Sequence, residues 1–130
     1  MQQLQPTLVH LHSTKAALLG RLAARSLGLP VIYTAHGWPF TEGVSAPVAW
    51  LYRHLELWLS PLVQHFITVS AYDRELALTH RIASASNITV IHNGVPLLAN
   101  ATHGPAGATT RIIMVARFEK PKAQDLLLRA

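Results

Sequence analysis

Arg117 and Lys122 lie in the closing stretch "MVARFEKPKAQDLLLRA", after the apolar run 112–115 and just before the spacing of an amphipathic helix start. Cations placed after a strand and at or before a helix N-terminus face the crevice where an open α/β sheet takes its ligand. The guanidinium is a planar fork for two phosphate oxygens, the ammonium a compact point charge, and the helix start adds backbone N–H donors. A charge-assisted contact of that kind is worth roughly 1.5–3 kcal/mol. A solvated charged loop would carry the same residues, so the pattern alone leaves both open.

His36 in "YTAHGWPF" comes directly after another strand-like run, with Gly37 beside it for backbone freedom. Histidine titrates near neutrality and is suited to positioning or polarising a substrate group there, although a structural histidine fits the same place. Trp38 and Phe40 either line a cleft for an acceptor, with Gly37, or pin the loop to the core. His10 and His12 are two apart on a strand and so share a face, but no third ligand accompanies them and no metal site is expected. Asn93-Gly94 is a turn signal. Nucleophile-elbow, P-loop and G-x-G-x-x-G patterns are missing, which removes the support for three common enzyme classes.

The elements that must position these groups follow from the run pattern. "TLVHLHS", "PVIYTAH", "HFITVS", "NITVIHN" and "TRIIMVAR" are rich in Val, Ile and Thr and bounded by Pro, Gly, Ser or Asn, which predicts five strands. Their nearly continuous apolar character predicts cover on both faces, as in parallel sheets. Helices are predicted over 15–26, 47–59 and 71–79. The first should bury Leu18, Leu19, Leu22 and Ala23 and turn Lys15, Arg21 and Arg25 to solvent. The second should bury Val48, Leu51, Tyr52, Leu55 and Leu59. Ser70 should cap the third, with Asp73 in its first turn.

Strand, helix, strand in repetition implies a parallel, right-handed, Rossmann-like α/β sheet. The stretch 96–110, "PLLANATHGPAGATT", has no periodicity and reads as a linker between a unit at 1–95 and the beginning of another at 111–130. With 130 residues, half of them apolar, a core is affordable; the net charge of +5 on only 13% charged residues suits a few placed cations better than a nucleic-acid-coating surface. No cysteine is present, and the N-terminus lacks the basic flank and long apolar core of a signal peptide, so a cytoplasmic protein is expected.

In order, "VHLHSTKAALLGRLAAR", "PVIYTAHGW", "FITVSAYDRELAL", "ITVIHNGV" and "IIMVARFEKPKAQDLLLRA" resemble the middle of a family 4 glycosyltransferase, a retaining enzyme of the two-domain GT-B fold. The resemblance implies an acceptor-side domain over 1–95, an interdomain linker, and the first strand and helix start of a donor-side Rossmann-like domain. It matches Arg117 and Lys122 to the arginine and lysine that grip a nucleotide-sugar diphosphate in a G-R-[LF]-x-x-x-K-G segment, whose glycines are Ala116 and Ala123 here. It matches His36 to the histidine near acceptor and transferred sugar, and Asn93-Gly94 to the segment leading into the interdomain hinge.

The implied activity is transfer of a sugar from a nucleotide-diphosphate donor to a glycan or lipid-linked acceptor, with leaving-group charge stabilised by the two cations and no metal or other cofactor. The family's Gly-rich loop and E-x7-E motif are not in this sequence, so the chain alone is expected to be inactive. Two other classes stay open: a nucleotide-sugar epimerase of the same fold, and a non-catalytic interaction or membrane-surface module. The second rests on the aromatic, weakly basic helix "APVAWLYRHLELWLSPL", which would seat the protein at the inner face of the cell membrane unless its aromatics pack on the sheet.

Overall fold

The computed structural model describes residues 5–41, 43–95, 112–118 and 122–130. They fall into two compact units, Met1–Asn93 and Gly94–Ala130. The predicted linker at 96–110 and Lys120 lie outside the described residues.

The first unit runs β1 (Val9–His12), α1 (Thr14–Ser26), β2 (Val31–Ala35), α2 (Ala46–Leu59), a 3-10 turn (Ser60–Leu62), β3 (His65–Thr68), α3 (Ala71–Thr79) and β4 (Ile88–Val90). The strands lie in the order β1-β2-β3-β4, every pair parallel, which makes the unit Rossmann-like. Val9, Leu11, Val31, Tyr33, Phe66 and Ile88 join Ala17 and Ala24 of α1 and Ala77 of α3 in one core. All the helices that reach the core therefore lie over a single face, as expected when each right-handed crossover steps the chain the same way across the sheet.

The two-sided cover expected from the apolar runs is not what forms. Along β1 burial alternates strictly, with Val9 and Leu11 inside and His10 and His12 exposed. The other face carries His10, His12, Thr34, His65 and Thr89, with Ile32 and Ile67 half-buried among them. Ile32 and Ile67 fill the gaps in the run pattern, and so two faces of different character read as one continuous apolar strand.

α1 also turns differently from its apolar count. Ala17, Gly20, Arg21 and Ala24 are the buried positions, while Leu19 is 70% exposed and Leu22 41%. Small side chains let the helix approach the sheet closely, and a Cβ on Gly20 would run into the Leu11 side chain. Arg21, expected in solvent, is 1% exposed because it bonds Glu56 of α2 at 2.8 Å. Its guanidinium carbon lies 4.9 Å from the Tyr33 ring centre, so the aromatic face meets part of the cation. Burial pushes the Glu56 carboxyl above its ordinary range, against the pull of Arg21. Burial and the Glu56 charge together push the Tyr33 phenol up to about 12, against the Thr14 hydrogen bond and Arg21.

α2 buries Glu56 and Leu59 and half-buries Tyr52 and Leu55. Val48 and Leu51, expected inside, are 40% and 51% exposed, and Trp50 and Trp58 stand out at 57% and 69%. Burying Glu56 turns the helix and carries the other apolar positions outward. α3 begins as the sequence predicts: the Ser70 hydroxyl accepts from the Asp73 N–H at 3.0 Å and donates to the Asp73 carboxylate at 2.6 Å.

In the second unit α4 spans Gln124–Arg129. The predicted fifth strand does not pair: 112–117 has no strand partner among the described residues, and Ile113 and Val115 are 85% and 94% exposed. A strand is held by a neighbour that takes up its N–H and C=O groups, and the described residues of this unit supply none.

Candidate functional site

The carboxyl ends of β1 and β2 bring three imidazoles together. β1 and β2 pair in parallel with His12 opposite Thr34, so the end of β1 lies beside the last turn of chain before His36. Nδ1 of His12 is 3.1 Å from Nε2 of His36, with the rings 5.4 Å apart and 28° from parallel. The His10 and His12 ring centres are 4.4 Å apart, and His10 Nε2 meets the Thr34 hydroxyl at 2.8 Å. Burial first, and the neighbouring His12 second, hold His10 below the ordinary histidine value.

The backbone on both sides of this group is unusual. Ser13, directly after His12, has φ 63° and ψ 148°, close to a region that glycine alone visits freely and that costs other residues about 1–3 kcal/mol. Gly37, directly after His36, has φ 128° and turns the chain sharply. Trp38 then drops into the core, 2% exposed, with its indole N–H donating to the Asp73 carbonyl at 2.8 Å and its ring edge-on to Tyr33. Trp38 therefore pins the loop rather than lining an acceptor cleft, because its polar handle is spent on α3. His36 and Gly37 remain exposed at the sheet end.

Phe40, the other aromatic of that loop, stacks on Trp38 and lines an open hollow of about 400 Å³ with Ala46, Ala49, Trp50, Arg53 and His80. The sequence did not point to this hollow, since its residues come from a loop and two helices with no shared spacing. Nor did it join His12 to His36, although the two-residue period of His10 and His12 and the strand register together are enough to do so. Among the described residues no group of three or more His, Cys, Asp and Glu is arranged to hold a metal ion.

Asn93 and Gly94 are exposed and straddle the division between the units. In the second unit Arg117 and Lys122 are exposed. The Gln124 side-chain amide donates to the Arg117 carbonyl at 2.5 Å, drawing the start of α4 back to the residue that follows the apolar run. Ala123, where the resembling motif carries glycine, has φ 50° and ψ 40°, a left-handed conformation that a glycine adopts without cost and an alanine does not.

Comparison with known proteins agrees with this architecture. The family described as Glycosyltransferase Family 4 matches residues 1–97, which include His12 and His36 and stop short of Arg117 and Lys122. The UDP-Gal:alpha-D-GlcNAc-diphosphoundecaprenol alpha-1,3-galactosyltransferase of Escherichia coli is 35% identical over 91 residues, 69% of this chain and 24% of that protein. The Bacillus subtilis (strain 168) protein named "Putative glycosyltransferase EpsD" is 39% identical over 69 residues, 51% of this chain and 18% of its own length. The chain thus spans a quarter or less of these relatives. No helix among the described residues is long and apolar enough to cross a membrane. With three quarters of its length matched and a parallel Rossmann-like sheet behind the match, the chain belongs to glycosyltransferase family 4.

Proposed function

We propose that this chain supplies the acceptor-side sheet, and the first donor-side residues, of a glycosyltransferase that moves a sugar from a nucleotide-diphosphate donor to a glycan or lipid-linked acceptor. The observation that carries the proposal is the family match over a sheet whose carboxyl end presents His36. Open α/β sheets take their ligands at that end. The name of the Escherichia coli relative supplies the class: a uridine-diphosphate sugar as donor and a diphosphoundecaprenol-linked sugar as acceptor.

Arg117 and Lys122 are the groups for the donor diphosphate, where they stabilise the charge that grows on it as the glycosidic bond breaks. Two fixed cations meet that demand without a divalent ion, so the proposal needs none. His36 and Gly37 face the acceptor and transferred sugar, and Asn93-Gly94 is the hinge toward the donor side. The 130-residue chain by itself is expected to turn over no donor.

The test is turnover of UDP-galactose with a lipid-diphosphate acceptor by a protein that carries this segment together with the rest of the two-domain fold. Arg117→Ala should lower turnover by roughly 10- to 150-fold, the equivalent of a lost charge-assisted contact of 1.5–3 kcal/mol. Equal turnover by the variant and the parent would remove Arg117 from the donor site.

A lipid-linked acceptor places the reaction at a membrane surface, and α2 supports peripheral attachment there, on the cytoplasmic side. Trp50 and Trp58 are exposed, and the helix's single acidic residue, Glu56, is turned inward against Arg21. An aromatic face without negative charge suits an anionic lipid interface.

A further inference from the structure

We propose that His12 is a positioning residue for His36: it holds His36 by Nε2, leaves Nδ1 as the nitrogen presented to a ligand, and does so only while the two facing nitrogens share one proton. A hydrogen bond between ring nitrogens needs one donor and one acceptor. The 3.1 Å contact between His12 Nδ1 and His36 Nε2 meets that condition with one proton between them and fails it with two. Nothing among the described residues bonds Nδ1 of His36.

The His12 ring is itself held. The His10 ring packs 4.4 Å from it, and His10 is fixed by the Thr34 hydroxyl at 2.8 Å. The positive φ of Ser13 sets the exit of the chain just after His12, and Trp38, bonded to α3, sets it just after His36. The pair is thus held from both ends.

No carboxylate among the described residues bonds the pair. His10 on β1 is the titratable neighbour, Thr34 on β2 does not titrate, and Lys15 in the first turn of α1 is positive. The carboxylates described in this unit are engaged elsewhere, Glu56 by Arg21, Asp73 by Ser70 and Glu75 by Arg74.

This inference rests on His36 being the acceptor-side group, but its test does not. The 130-residue chain, labelled with nitrogen-15 in histidine, is studied by NMR at neutral pH. At neutral pH a scalar coupling across the bond should join His12 Nδ1 to His36 Nε2. His12→Leu should abolish that coupling and change the balance of His36 tautomers read from its ring-nitrogen shifts. His12→Asn, whose amide reaches the place of Nδ1, should keep His36 in the tautomer it has in the parent chain. Absence of the coupling at neutral pH, or a balance of His36 tautomers that is the same with and without His12, overturns the proposal; the readout stands whether or not sugar transfer does.

Discussion

Thr68 has no exposure, and its hydroxyl has no hydrogen-bond partner among the described residues. A buried hydroxyl left unbonded costs about 1–3 kcal/mol, whereas a methyl of the same shape costs nothing to desolvate. Thr68→Val should therefore raise the urea midpoint, by the equivalent of about 1 kcal/mol. His10 gives the fold an acid sensitivity. Its pKa is lower in the folded state, so its contribution is present above the ordinary histidine value of about 6.5 and lost as pH falls through the lowered one. Urea midpoints should fall between pH 7.5 and pH 5, and His10→Gln should flatten that slope. Single residues were unevenly legible. The exposed position of His36 just after β2 was readable from the strand-like run before it and the glycine beside it. Trp38 was not, because a tryptophan in a loop looks the same whether its indole N–H is spent on Asp73 or left for a ligand.

At the level of elements, the α1–α2 contact turns on one ion pair. A helix with four leucines and alanines on one stripe reads as burying that stripe, and the wheel is right only if no stronger pairing rotates it. Arg21 finds its partner 35 residues away in Glu56, a distance no local period reports. Breaking such a pair leaves a charge uncompensated in the interior, and Glu56→Gln should cost about 3–5 kcal/mol. Replacing both partners, as Arg21→Met with Glu56→Leu, should come back to parent stability or exceed it by about 1–4 kcal/mol. Thermal unfolding followed by circular dichroism separates the two outcomes. The pH sign of Glu56 opposes that of His10: its raised value favours the protonated carboxyl in the fold, so its contribution is lost as pH rises.

Across the whole molecule the parallel Rossmann-like sheet was legible, since Val, Ile and Thr runs alternating with helical stripes allow few other arrangements. Its one-sidedness was not, because Ile32 and Ile67 on the open face are the residues a core strand would carry. The same rotation that buries Glu56 gives the chain, at net charge +5, an outward helix face of Trp50, Leu51, Leu57 and Trp58. The chain should bind vesicles containing anionic lipid with a blue shift of tryptophan fluorescence, bind neutral vesicles less, and lose affinity as salt rises. Trp50→Ala with Trp58→Ala should weaken binding by at least roughly tenfold, about 1.4 kcal/mol. No binding to anionic vesicles would end the membrane reading.

The sheet order has one more effect. β1 pairs with β2 on one side and with nothing among the described residues on the other, so Val9–His12 offers a row of unpaired backbone groups. Any strand that joins this edge in the parallel sense of the other four ends beside His10 and His12. The edge that β1 presents among the described residues therefore borders the candidate histidine group.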